Sequence, residues 1–465
     1  MTDPDATRLG PEGRRRMMMT EGAVGPTLLR LAGPMAVGMA AIMLFTIVDT
    51  FFVGQLGAAP LAAMSFCFPI TFVVLSITMG LGMGTTSVIA RAIGRGDRQG
   101  VRRLTTHALL LAGAVVAVVV AVGLATIDPV FTALGARGET LELVHEYMEV
   151  WYWGVGFLVV PMIGNSAIRA TGDTRSPSII MIVAGVANAV LDPPLIFGLG
   201  PFPALGLQGA ALATALSWTL TFAAATWLLT VREKMVEFRL HGWWASWREI
   251  LYVGAPAAGT NLLIPLSAAV LTRFVATYGE HAVAGYGVAT RIESLAIIGV
   301  NALSSAMTPF VGQNFGAHRC DRVREAVRFS MRASLGWGAG VAVLSFALAR
   351  PVSSWFNDAD TIVSASTAYL RIVPISYGLV GIGMLMNTTF IALGRPAQAS
   401  LLIVIRLFVL AVPLAYAGSI LLGRNGLFVG IALGNAATAA VAWTMSRRIL
   451  ARAEAEAPAG APVTV

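Results

Sequence analysis

Apolar segments long enough to cross a bilayer follow one another along almost the whole chain, and that succession limits its folds more than any other feature. A hydrocarbon core about 30 Å thick takes ~20 helical residues to span, and lipid offers no partner for an open backbone N–H or C=O, so each crossing must close its own hydrogen bonds. Apolar length and Gly/Pro punctuation place spans at 27–52, 60–90, 105–127, 145–169, 178–197 and 206–231, then at 249–276, 282–312, 327–349, 362–391, 399–422 and 426–446. Of 465 residues, 56% are hydrophobic and only 12% charged, against about 25% charged in a soluble domain. The pattern predicts an all-α polytopic membrane protein.

Basic residues give the orientation, because Arg and Lys concentrate in loops retained in the cytoplasm. Twenty-four of the 32 Arg and Lys residues fall on the side that holds both termini, and only Arg137, Arg350 and Arg424 fall on the other. Both termini are therefore expected in the cytoplasm, with the chain multi-pass in the cytoplasmic (inner) membrane. Arg14, Arg15 and Arg16 precede an apolar stretch too long for a signal peptide's ~7–15 apolar residues, so that stretch reads as a retained first span. The net charge of +8 is spent on these loops, which leaves no case for nucleic-acid binding. Cys67 and Cys320 read as free thiols, and the five histidines have no metal-ligand spacing.

Displacing the sequence against itself by 222 residues superposes its halves. Pro34 meets Pro256, Phe52 meets Phe274, Gly57 meets Gly279, Thr86 meets Thr308, Gly94 meets Gly316, Arg102 meets Arg324, Asn165 meets Asn387 and Gly172 meets Gly394; near the ends the register slips by one and Gly209 meets Gly430. A shared Gly/Ala/Leu bias does not pair Pro, Arg and Asn. Each copy holds six spans, so both enter the membrane from the same side, related by a pseudo-two-fold axis along the membrane normal. The expected organisation is an amino segment (1–26), a six-helix lobe (27–231), a linker (232–248), a second six-helix lobe (249–446) and a disordered tail (447–465). Trp243, Trp244 and Trp247 in the linker read as interfacial anchors.

Ionisable residues inside spans are costly and point to function. Asp49 in span 1 and Asp192 in span 5 lie at comparable depth, and Asn188 shares a helical face with Asp192. Pro193 and Pro194 remove amide donors nearby, and Thr214 adds a hydroxyl from span 6. These are hard oxygen ligands that suit a small cation, Na+ or H+; the structural alternative is interhelical hydrogen bonding. At the 222 offset Asp49, Asn188 and Asp192 fall on Leu271, Leu410 and Leu414, so ion coupling is expected in the first lobe alone. In the second lobe Glu293 lies near Arg291, Arg273 and Arg406, as a candidate carboxy-lobe site (Glu293, Arg291) or a structural charge pair.

The stretches Val48-Asp49-Thr50-Phe51-Phe52-Val53-Gly54, Asn188 to Pro193, Gly209 to Thr214 and Pro309 to Ala317, in these spans and this order, resemble the multidrug and toxic compound extrusion (MATE) family, and within it the DinF-like branch. The resemblance covers about residues 25–450. It implies twelve helices in two lobes, with Asp49, Asn188, Asp192 and Thr214 as the cation-coupling site. It also implies that Tyr147 and Asn165 join that network and that Pro34 marks a bend in the first helix. The implied activity is not enzymatic: antiport of H+ or Na+ against amphipathic, often cationic organic compounds, by a monomer without a cofactor, in contact with membrane lipid and small drug-like molecules. A flippase or exporter of lipid-linked or other amphipathic metabolites is the alternative. The resemblance does not extend to acids at membrane depth in spans 7 and 10, which the other main branch carries; here span 7 has only Glu249, at its first residue, and span 10 has none.

Overall fold

The structure is a computed structural model that describes residues 19–237 and 241–456. Among the described residues, twelve long helices follow the apolar runs. The first six are α1 (Val24–Gln55), α2 (Ala58–Gly94), α3 (Arg98–Ala133), α4 (Glu139–Ala170), α5 (Arg175–Phe197) and α6 (Gly206–Arg232). After the linker come α7 (Trp243–Ala276), α8 (Glu280–Ala296 and Ile298–Gly316, bent by 45° at Ile297), α9 (Cys320–Phe356) and α10 (Asp360–Ala392). A non-helical break at Leu422 and Gly423 separates α11 (396–421) from α12 (424–456). Pro34 lies inside an uninterrupted α1.

Local chemistry sets the helix ends. Asp97 caps α3, its carboxylate accepting the Gly100 amide at 2.8 Å, and Asp173 accepts the amides of Arg175 and Ser176 at the start of α5. The sharp turns after α1 and α7 rest on Gly57 (φ 114°) and Gly279 (φ 95°), and those after α4 and α10 on Gly172 (φ 92°) and Gly394 (φ 73°). Only glycine enters that region without a Cβ penalty. Both pairs are 222 residues apart, so the repeat governs backbone conformation as well as sequence.

Burial is inverted relative to a soluble bundle. Val343, Ile420 and Leu421 are more than 60% exposed, as expected of side chains that meet lipid. The most apolar 18-residue stretch of α4 is 67% buried and that of α10 is 72% buried, against 11% in α9. These repeat-related helices form the centre of each half: α4 packs on α3 and α6, and α10 packs on α8, α9 and α12. Close backbone approach is built in by glycine. A Cβ at Gly209 would sit 2.3 Å from the Leu195 carbonyl oxygen, and one at Gly430 would sit 2.1 Å from that of Leu414.

Two boundaries differ from the sequence expectation. The chain divides into compact units at Ala36/Val37 and Ala258/Gly259 rather than in the linker: one unit takes Val37–Ile93 and Asp97–Ala258, and the other takes Gly94–Gly96 together with the described residues up to Ala36 and from Gly259 on. Hydropathy assigns a whole helix to one lobe, whereas α1 and α7 pack in two parts, changing unit two residues beyond the repeat-paired Pro34 and Pro256. Consistent with this, Trp247 donates to the His107 carbonyl at 2.9 Å and Ser246 bonds His107 at 2.8 Å, while Trp244 remains 63% exposed. The second difference is at the end of the chain. Residues 447–456 of the expected tail continue α12, because Arg447, Arg448 and Arg452 end the apolar run without ending the helix; 457–465, like 1–18 of the amino segment and 238–240 of the linker, lie outside the described residues.

Candidate functional site

The intramembrane polar residues of the first half converge near the helix ends opposite the termini. Asn188 and Asp192 are one turn apart on α5, and Asn188 Nδ2 donates to Asp192 Oδ1 at 3.1 Å and to Thr214 Oγ1 of α6 at 3.3 Å. Asp192 is fully buried. Asp49 of α1 is close enough for the two carboxyl charges to act on one another, and both act on Tyr147 of α4, itself 8% exposed. Asp49, Asp192, Tyr147 and Thr214 each lie five to eight residues from the ends of their helices on that side, a common depth of about 8–12 Å at 1.5 Å per residue.

Two oxygens of this cluster are buried without a hydrogen-bond partner, Asp49 Oδ1 and Asp192 Oδ2. Burying an unpaired polar group costs about 2–7 kcal/mol, and two like carboxylates in one small volume repel as well. A proton or a small hard cation relieves both penalties. The atoms able to ligate a cation are all oxygens, the Asn188 amide nitrogen serving as a hydrogen-bond donor, and among the described residues no three His, Cys, Asp or Glu side chains gather, so the chemistry fits H+ or a hard cation such as Na+.

Asn165 is not brought to this cluster. It lies eighteen residues beyond Tyr147 on the uninterrupted α4, about 27 Å along the helix at 1.5 Å per residue. One helix therefore cannot present both residues to one small site. Asn165 is buried nearer the Arg-rich end, with Oδ1 unpartnered.

The second half holds a different buried acid. Tyr369 of α10 donates to Glu293 Oε2. The Tyr369 ring stands edge-on between Tyr286 of α8, at 5.5 Å, and Phe428 of α12, at 5.1 Å. Arg406 of α11 is the basic residue in electrostatic reach of Glu293. Arg291 and Arg273 are exposed; two residues along a helix is about 200° around it, so Arg291 and Glu293 occupy different faces. The sequence reading missed Tyr369, although at the 222 offset it falls on Tyr147.

The sequence profile of the MatE family matches residues 34–193 and again 256–417. The chain belongs to the MATE family. Its two matches fall on the two repeat copies, and membership makes the protein a membrane transporter, not an enzyme. Among curated proteins, this MATE chain is 37% identical over 429 residues, 92% of its length and 95% of the relative's, to the FAD transporter of Shewanella oneidensis. It is 28% identical to the probable multidrug resistance protein NorM of Thermotoga maritima, covering 84% of each chain. Among solved structures, the Vibrio cholerae MATE transporter VcmN in its bent form superposes with a TM-score of 0.89 at 29% identity, over 95% of this chain and 99% of that one. Two lobes of six helices are thus the architecture of this MATE chain.

Proposed function

We propose that this MATE transporter is a secondary active exporter in the cytoplasmic membrane that couples outward movement of amphipathic organic compounds to inward movement of H+ or Na+ at Asp49, Asn188, Asp192 and Thr214. The observation that carries this reading is the pair of buried, unpartnered carboxylate oxygens, Asp49 Oδ1 and Asp192 Oδ2, beside an amide and a hydroxyl already oriented by each other. Taking up one cation neutralises the repulsion between α1 and α5 and lets these helices close on the site. Releasing it restores the repulsion. One charge moving down the membrane potential contributes about 2.3 kcal/mol per 100 mV, enough for an accumulation of about fiftyfold.

The relatives support two kinds of cargo. The Thermotoga protein's name carries over as drugs of more than one kind, and the Shewanella protein's name carries over as FAD, a flavin dinucleotide. An anionic cargo has a specific observation in its favour: Arg291 is exposed at a depth where arginine normally faces water or a partner, and Arg273, Arg332, Arg371 and Arg406 lie on helices of the same half. Vesicles carrying the purified protein and loaded with ethidium or with FAD separate the two. Gradient-driven release of FAD that Arg291→Ala weakens supports the dinucleotide; release of ethidium alone supports the drug reading.

A further inference from the structure

Sequence alignment leaves the second half without counterparts of Asp49 and Asp192, since both positions hold leucine. Its folded geometry restores an acid by another route. Tyr147 and Tyr369 are repeat partners, both nearly fully buried on the central helix of their halves. Tyr147 faces a carboxyl pair from α1 and α5, and Tyr369 donates to a carboxyl from α8. The repeat-paired tyrosine therefore lies in reach of an acid in each half, through the field of the carboxyls in the first and through a hydrogen bond in the second, although the acids come from helices that are not related by the repeat.

The surroundings of Glu293 differ from those of a fixed charge pair. Arg406 reaches it electrostatically, yet among the described residues the two make no ion pair within bonding distance, and the bond that Glu293 accepts comes from a neutral tyrosine. Tyr286 from α8 and Tyr377 from α10 complete the titratable groups around it; α12 contributes only Phe428, and the Tyr377 hydroxyl is buried without a partner. The helices that carry the cluster are irregular beside it. The α8 helix bends by 45° one turn beyond Glu293, α10 tightens into a 3₁₀ turn at Val373–Ser376 one turn beyond Tyr369, and Arg406 sits in a π-helical stretch, Ile405–Ala411, of α11. Irregular turns of these kinds concentrate where helices move or bind.

We propose that Glu293 is a second proton-carrying carboxyl of the transport cycle, positioned by Tyr369 and balanced by Arg406 when ionised. This rests on the antiport reading but not on the first-half site. The step is a simple exchange: a carboxylate oxygen of Glu293 takes H+ from water on one side of the membrane and returns it to water on the other, with no bond to carbon changed. Ionised, Glu293 and Arg406 are together neutral. Protonated, Glu293 leaves Arg406 as an uncompensated positive charge, so the second half changes its field by one unit charge in each cycle.

The test is infrared difference spectroscopy of the full-length protein in lipid vesicles between pH 5 and pH 9, read in the carbonyl-stretch region of protonated carboxyl groups. The expected result is a band that is lost in Glu293→Gln, shifted in Tyr369→Phe, and kept in Asp49→Asn and Asp192→Asn. Protons taken up per ethidium released should fall by about one in Glu293→Gln and be restored in Glu293→Asp. Folding of each variant is checked by circular dichroism, and if Glu293→Gln does not fold, Tyr369→Phe carries the test through the band shift. A spectrum unchanged in Glu293→Gln, or in Tyr369→Phe in its place, marks Glu293 as permanently ionised and overturns the proposal. Failure of the antiport reading is separate: neither a pH nor a Na+ gradient then drives ethidium or FAD in the wild type, whatever the spectra show.

Discussion

At Asn188 a single amide orders two oxygens by donating to both Asp192 and Thr214. Asn188→Ala should therefore weaken the coupling cation at least about tenfold, since a hydrogen bond to a charged group contributes about 1.5–3 kcal/mol. Thr214→Ser, which keeps the hydroxyl, should change little, while Thr214→Val should behave like Asn188→Ala. The measurement is the concentration of H+ or Na+ that half-activates transport in vesicles; equal values for Thr214→Ser and Thr214→Val would remove Thr214 from the site. Asp49, Asn188, Asp192 and Thr214 were legible in the sequence because polar groups within apolar helices are rare enough to stand out. Asn165 was carried along by family resemblance, although the rise per residue alone separates it from Tyr147. Tyr369 was missed because a tyrosine in an apolar span is unremarkable until an acid from another helix is seen to meet it.

Helix crossings depend on glycine where two backbones touch. Gly209→Ala and Gly430→Ala each place a methyl group against a backbone carbonyl that cannot move aside. Each should cost about 1–3 kcal/mol and lower the thermal midpoint of the detergent-solubilised protein. Gly336→Ala on α9, where a Cβ meets nothing within 4 Å, is the control and should leave the midpoint unchanged or slightly raised; an equal loss at all three positions would contradict the crossing argument. The helices themselves were legible from apolar length. Their irregularities were not, because the bend in α8 and the π-helical stretch in α11 leave no mark in hydropathy. The overrun of α12 to Glu456 escaped for a related reason, since hydropathy marks where lipid ends and not where helical hydrogen bonding ends.

The two compact units exchange the first parts of α1 and α7 at repeat-equivalent positions. A chain cut in the linker between α6 and α7 therefore yields two pieces, each lacking a helical segment of the unit it mostly builds. Expressed separately, each piece should be degraded or aggregate; expressed together, they should copurify and recover transport, and a stable, monodisperse first piece on its own would contradict the exchange. The repeat was legible in full, whereas the exchange was not, because sequence similarity records which segments are related and not which segments they pack on. The central claim is that transport is driven through the Asp49 and Asp192 carboxyls, and the most direct measurement is ethidium and FAD release from vesicles carrying the reconstituted protein under an imposed pH or Na+ gradient, for wild type, Asp49→Asn and Asp192→Asn. Release that one of the gradients accelerates in the wild type, and that loses at least about tenfold of that acceleration in both variants, is the predicted result; gradient-driven release that persists undiminished in both variants would contradict it.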